Sequence, residues 1–146
     1  MIKQALAAAA LLATVAVGGL QGCASTPAAK ADDKHRIVFH VTDGDATKWN
    51  IVLNNAGNVQ DALGKDKVII EIVTHGPGIN MLKAESTVAP RLAQALDRNV
   101  GLYACEFTMR QAKVTKADMY AGISYAPSGV TRIIQRQEEG WTYLRP

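Results

Sequence analysis

The segment VIIEIVTHGPG, residues 68–78, limits the possible folds more than any other part of the chain. Its first six residues are β-branched and apolar on both faces of an extended strand, with Glu71 as the one exception. A strand with two apolar faces must be covered on both, so this run predicts a central parallel strand between two layers of helix. Gly76, Pro77 and Gly78 then stop it abruptly, as turn residues do.

The rest of the chain alternates between the same two patterns. HRIVFHVTDGD places Ile37, Phe39 and Val41 on one face and Val38 and His40 on the other, then turns at Asp43-Gly44, with Asp43 or Asp45 available to cap a helix. In ATKWNIVLNNAGNVQDALG, the residues Trp49, Val52, Leu53, Ala56, Val59 and Leu63 recur at the spacing of one helical face, and Gly64 stands where a left-handed residue would end it. A second helical region runs from Met81 and Leu82, past a weak interruption, to Val88, Leu92, Ala95 and Leu96; Pro90 suits its first turn and Asn99 its end. VGLYAC is a third strand leading into an EFTMRQAKVT helix, and GISYAP a short fourth strand. SGVTRIIQRQEEG is a helix capped by Ser128, and WTYLRP a short last strand.

Strands separated by helices are joined by right-handed crossovers, which make a parallel sheet with helices on both faces. The expected architecture is therefore a three-layer α/β domain, flavodoxin-like or Rossmann-like, with a mainly parallel five-stranded sheet. Ligands of such sheets gather at the carboxyl ends of the strands. The VTDGD loop, the HGPG loop and Cys105 all fall on that edge. In a 2-1-3 strand order one strand would separate His75 from Cys105, holding them about 10 Å apart and making direct proton transfer between them doubtful.

The amino terminus lies outside this pattern. MIKQALAAAALLATVAVGGLQGCAS has one early cation, Lys3, an Ala/Leu/Val core and small residues before Cys23, so residues 1–22 read as a secretory signal. The apolar run is short for a bilayer span and has no basic stop signal after it. LQGC resembles a lipoprotein processing site, which implies acylation of Cys23 and cleavage before it, although Gln21 replaces the usual small residue; an ordinary cleavage site followed by a cysteine is the alternative. Ala24 after the cysteine resembles outer-membrane sorting. Residues 23–34 lack large apolar side chains and read as a flexible tether. Residues 35–146 remain as one domain. The expected location is the cell envelope, lipid-anchored and facing the periplasm.

Charge excludes some partners. Sixteen Lys and Arg stand against 13 Asp and Glu, and cleavage of the leader removes Lys3 from the excess. No basic run with interleaved aromatics is present, so nucleic acid is not an expected partner. Three scattered histidines and one available cysteine fall short of a metal-ligand set. The serine-hydrolase, phosphate-loop and dinucleotide motifs are absent as well, and no cofactor is expected.

The chemistry that remains centres on Cys105. With Cys23 carrying lipid it has no partner in its own chain, so it is buried and inert, paired between chains, or chemically used. At a strand-to-helix junction the helix dipole and unpaired amides favour a thiolate, the reactive form. Glu106 beside it opposes that if it points at the sulfur. His75, Gly76 and Gly78 are candidate binding residues, the imidazole and amides surrounding a small anion or sulfur intermediate; the plainer reading is a tight turn. His40 reads as a satisfied core histidine and His35 as a solvated one.

Several of these segments together resemble the DsrE/DsrF-like family of small sulfur-relay and related proteins: HVTDGDATKWNIVLNNAGNVQDALG with its paired Asn54 and Asn55, IEIVTHGPGINML, the AC-x-x-TM of VGLYACEFTMR, and the QxEGWxYxRP ending. The resemblance implies a flavodoxin-like domain that assembles into homo-oligomers, often trimers or hexamers. It also implies a cysteine that accepts and passes on sulfane sulfur as a persulfide, at the position of Cys105. The export leader is a departure, because familiar relay members hand sulfur among cytosolic partners. Two functions follow as expectations: an envelope-tethered thiol protein carrying sulfane sulfur or acting in thiol redox, with donor and acceptor undetermined, or a non-catalytic oligomeric small-ligand-binding or scaffold module.

Overall fold

The computed structural model describes residues 34–146. The segments read above as a signal sequence and, up to residue 33, a tether, Cys23 among them, lie outside the described residues. Five strands run in the order met along the chain: β1 (His35–Val41), β2 (Val68–Thr74), β3 (Gly101–Cys105), β4 (Ser124–Ala126) and β5 (Thr142–Leu144). The helices between them are α1 (Ala46–Leu63), α2 (Ala89–Asp97), α3 (Glu106–Gln111) and α4 (Gly129–Glu138). Every strand pairing is parallel. The helices begin where side chains can satisfy their free amides: Asp45 accepts from Thr47 N–H, and Ser128 from Thr131 N–H. Pro90 lies in the first turn of α2, and Asn99 follows that helix with φ at 59°.

The second helical region differs from its expected form. Met81 and Leu82 belong to a 3-10 segment, Gly76–Leu82, that continues directly from the HGPG turn, and α2 starts only at Ala89. Gly78 explains the tight path. A Cβ on it would stand 2.5 Å from the Val41 carbonyl oxygen, so only glycine lets this segment pack against the end of β1.

β2 does occupy the middle of the sheet, between β1 and β3, with Ile70, Ile72 and Val73 buried. Burying a side chain of that size contributes about 1.5–3 kcal/mol. Two cores flank it. On one face Ile37, Phe39 and Val41 of β1 pack with Trp49 and Leu53 of α1, Leu92 of α2 and Met109 of α3. On the other, Val38 and Val73 pack with Ile133 of α4 and Trp141. The alternation read along β1 thus corresponds to two separate packing layers.

The order across the sheet is β4-β3-β2-β1-β5. This replaces the 2-1-3 arrangement: β2 and β3 are neighbours, Thr74 pairing with Ala104, and no strand separates their carboxyl ends. The chain steps one strand at a time from β1 to β4, and then α4 carries it back across the opposite face to β5. The connections after β3 and β4 therefore leave on opposite faces of the sheet. Ligands of such sheets gather where neighbouring connections diverge in this way, and Cys105, paired with Ala126, lies at the carboxyl ends of those two strands.

Glu71, the charged exception in β2, fixes how α4 lies. It is 6% exposed and accepts four hydrogen bonds at 2.8–3.0 Å, from Nε and a terminal nitrogen of both Arg132 and Arg136. The two arginines are one helical turn apart, so a single carboxylate holds two successive turns of α4 against the sheet. Arg132 also lies 3.4 Å over the Tyr103 ring.

Candidate functional site: a thiol between two helix starts

Cys105 is the last residue of β3 and the cap of α3. Its position follows from the chain reversal just described, because α3 and α4 both start beside it. Burial pushes the thiol pKa up, while the Thr108 hydroxyl and the backbone amides of Gly129, Thr108 and Phe107 pull it down, leaving it below the ordinary value. The Phe107 amide also donates to the Pro127 carbonyl at 3.2 Å, tying the start of α3 to the loop before α4. The residue is 4% exposed. A thiol this covered would ordinarily resist ionisation. Hydrogen-bond donors drawn from two helix starts offset that cost.

Gly129 allows the close approach. A Cβ there would meet Cβ of Cys105 at 3.2 Å, Cβ of His75 at 3.3 Å and a methyl of Val73 at 3.4 Å. The first residue of α4 is thus wedged between Cys105 and His75. Direct proton transfer between the two, which a 2-1-3 order made doubtful, is compatible with neighbouring strands.

The HGPG turn acts on the sulfur through an intermediary. Gly76 N–H donates to Thr108 Oγ1 at 3.1 Å, and Gly78 N–H donates to the Thr42 and His75 carbonyls at 3.0 and 3.2 Å. Both amides are engaged within the fold, and the donors that reach the sulfur come from α3 and α4. Glu106 does not figure among the influences on the thiol; its carboxylate pairs with Lys116 at 3.2 Å.

His75 does not stand alone. Its Nε2 lies 2.6 Å from Nε2 of His40, and His40 Nδ1 lies 2.7 Å from the Tyr143 hydroxyl. Burial lowers both imidazole pKa values, with His75 and Arg145 adding to the effect at His40 and Arg145 at His75; His40 falls from 6.5 to about 4. The pair is neutral at neutral pH, and one proton sits between the two facing nitrogens. His40 is half-buried and hydrogen-bonded on both sides, so it is satisfied, as its place in a strand suggested, but it belongs to the site edge rather than to the core. Arg145 donates to Thr42 at 2.7 Å along the same edge.

Sequence reasoning singled out Cys105 and His75 and missed Thr108, Gly129 and Tyr143. Thr108 had a local signal, since it stands three residues after a cap position, where a polar side chain turns back toward the cap. Tyr143 stood in the QxEGWxYxRP ending and Gly129 beside a helix cap, but nothing local tied either to the thiol, because they approach the site only through the crossing of α4 and the pairing of β5. Among the described residues no group of three or more His, Cys, Asp or Glu is placed to hold a metal ion.

This fold and site define a class: parallel α/β domains with one thiol at the sheet's carboxyl edge. Residues 29–146 match the DsrE/DsrF-like family, and the chain belongs to that family. It is similar to the structure of the protein of unknown function MTH1491 from Methanobacterium thermoautotrophicum, with 31% identity and a TM-score of 0.74 over 77% of this chain and 100% of the other. The fold is shared with BT1422 from Bacteroides thetaiotaomicron, at 13% identity and a TM-score of 0.63 over 76% and 94% of the two chains. It is shared too with the ychN protein from E. coli, at 11% and 0.62 over 78% and 99%. Among curated proteins none matches the chain.

Proposed function

We propose that the protein is an envelope-tethered thiol carrier, in which the Cys105 thiolate takes a sulfane sulfur from a donor, holds it as a persulfide and passes it to an acceptor thiol. The observation that carries this reading is the set of donors around the sulfur: one hydroxyl and three amides on a residue that is otherwise buried. Packing alone needs no such array, whereas a sulfur that must be an anion in order to attack does. His75 is the binding residue that faces Cys105 across Gly129, with Gly76 and Gly78 shaping the turn that orders Thr108. A cargo of one atom suits a thiol this covered. The family supports the same reading, and the leader and LQGC support a lipid anchor at Cys23 and a periplasmic location. Self-association is part of the proposal, supported by the family resemblance and by the exposed apolar side chains of Phe107, Val130 and Ile134.

The test is mass spectrometry of the purified chain after incubation with a sulfane donor. The expected result is the mass of one added sulfur on the peptide containing Cys105, absent in Cys105→Ser. An unmodified peptide would favour the other reading, a non-catalytic oligomeric ligand-binding or scaffold module, for which the thiol's burial is the supporting observation. Incorporation of a clickable fatty acid, lost in Cys23→Ser, tests the anchor.

A further inference from the structure

The donor array explains how a thiolate is held at Cys105 but leaves the other half of a transfer unserved. When a thiolate takes the outer sulfur of a persulfide R–S–SH, the new Cys105 S–S bond forms as the donor S–S bond breaks. The electron pair goes to the departing R–S⁻. That thiolate is basic and leaves slowly unless a proton meets it. At a residue 4% exposed, bulk water is poorly placed to supply one.

A chain of hydrogen-bonding groups ends at His75, across Gly129 from Cys105. Tyr143 is 36% exposed and its hydroxyl meets His40 Nδ1 at 2.7 Å. His40 Nε2 meets His75 Nε2 at 2.6 Å. A Cβ added at Gly129 would meet the Cβ of Cys105 at 3.2 Å and the Cβ of His75 at 3.3 Å, so the two residues face each other across that glycine. Since Nε2 of His75 faces His40, its free valence is at Nδ1, the ring nitrogen nearer that shared contact. The rings of His40 and His75 are 4.7 Å apart and tilted by 31°, so the link runs edge to edge through their nitrogens rather than through stacked faces.

We propose that His75 protonates the thiolate leaving from Cys105's sulfur donor, and that His40 and Tyr143 resupply His75 from solvent. This rests on the carrier reading above. The balance is simple: His75 gives its Nδ1 proton to R–S⁻, its Nε2 takes the proton of His40 Nε2, His40 Nδ1 takes the Tyr143 hydroxyl proton, and water restores Tyr143. Each imidazole ends in its other neutral tautomer, and no charge is left in the site. Return of protons in the opposite direction serves the release step, when an acceptor thiol must lose one. The depressed basicity of both rings fits a conduit that stays neutral between turnovers. The charged groups acting on the pair are Arg145 after β5, which lowers both, and Asp43 after β1, which raises His40.

The experiment uses two small reagents that give the same Cys105 methyl disulfide. Dimethyl disulfide expels methanethiolate, which needs a proton; methyl methanethiolsulfonate expels methanesulfinate, which does not. In His75→Gln the dimethyl disulfide reaction should slow by about a hundredfold, the low end for a positioned general acid, with the sulfonate reagent unchanged. Added imidazole should restore part of the lost rate. His40→Gln and Tyr143→Phe should show the same selectivity with smaller losses, and they carry the test if His75→Gln fails to fold. Unchanged rates, or equal slowing with both reagents, would overturn the relay, since equal slowing marks only a damaged thiolate. Neither reagent carries sulfane sulfur. A selective loss in a chain that never loads sulfur therefore refutes the carrier and keeps the relay.

Discussion

Thr108 Oγ1 accepts the Gly76 N–H at 3.1 Å, and the same hydroxyl is the strongest of the groups that pull the Cys105 thiol pKa down. The HGPG turn thereby tunes a thiol on another strand without touching it. Thr108→Val should remove both the acceptor and the donor, raising the thiol pKa. The rate of iodoacetamide alkylation measured against pH should shift its midpoint upward, and Thr108→Ser should restore it. An unmoved midpoint in the valine variant would mean that the amides alone hold the thiolate.

Gly129→Ala presses the same site from the opposite side. The added methyl would meet Cys105 and His75 at 3.2 and 3.3 Å, closer than ordinary contact, so the start of α4 is expected to shift by a few tenths of an ångström and weaken its first amide's hold on the thiolate. Alkylation should slow at neutral pH, with a small loss of melting temperature. Arg132 and Arg136, which hold α4 through Glu71, limit how far that movement goes.

Removing the Glu71 carboxylate should be costly. In Glu71→Ala two guanidinium groups, each about four-fifths covered, lose their shared acceptor. Breaking a buried pair in this way costs about 3–5 kcal/mol. Urea unfolding is the measurement, with a second expectation attached: the surviving native state should show a less acidic Cys105, because the start of α4 is no longer pinned.

His40 predicts the acid limb of stability. Its pKa is lowered from 6.5 unfolded to about 4 folded, so between those values the unfolded chain binds a proton that the native chain does not. Stability is fully present above 6.5 and falls as the pH drops toward 4. The Cys105 thiol, also depressed, acts in the same sense at higher pH: its contribution is complete above the unfolded thiol pKa and is lost as pH falls through the folded one. His40→Gln should flatten the slope between pH 4 and 6.5, and Cys105→Ala the slope at higher pH, both read from unfolding midpoints.

Gly78→Ala should cost more than about 2 kcal/mol, since its methyl would collide with the Val41 backbone rather than with a movable side chain. Thermal unfolding checks it.

Much of this molecule was legible along the chain. The two-sided apolar run of β2, the alternation of β1 and the helical spacing of α1 follow from periods of two and 3.6 residues, which any extended or coiled segment must obey. Asp45 and Ser128 capped the helices they preceded because an oxygen one residue before a helix has little else to do. Cys105 could be placed at a strand end for the same local reason. Its neighbours could not. Alternating strands and helices imply parallel pairing but leave open which strands adjoin, and a 2-1-3 order was as compatible with the pattern as the observed one.

The sequence by itself therefore determined the elements, the parallel sheet and the place of Cys105 at the carboxyl edge of a strand, since each depends on residues within a turn or a strand of one another. Tertiary structure alone decided that α4 returns across the second face, bringing Gly129 to Cys105 and Tyr143 to His40. That choice depends on long-range burial and on Glu71 meeting two arginines some sixty positions away, contacts whose partners no local period can name.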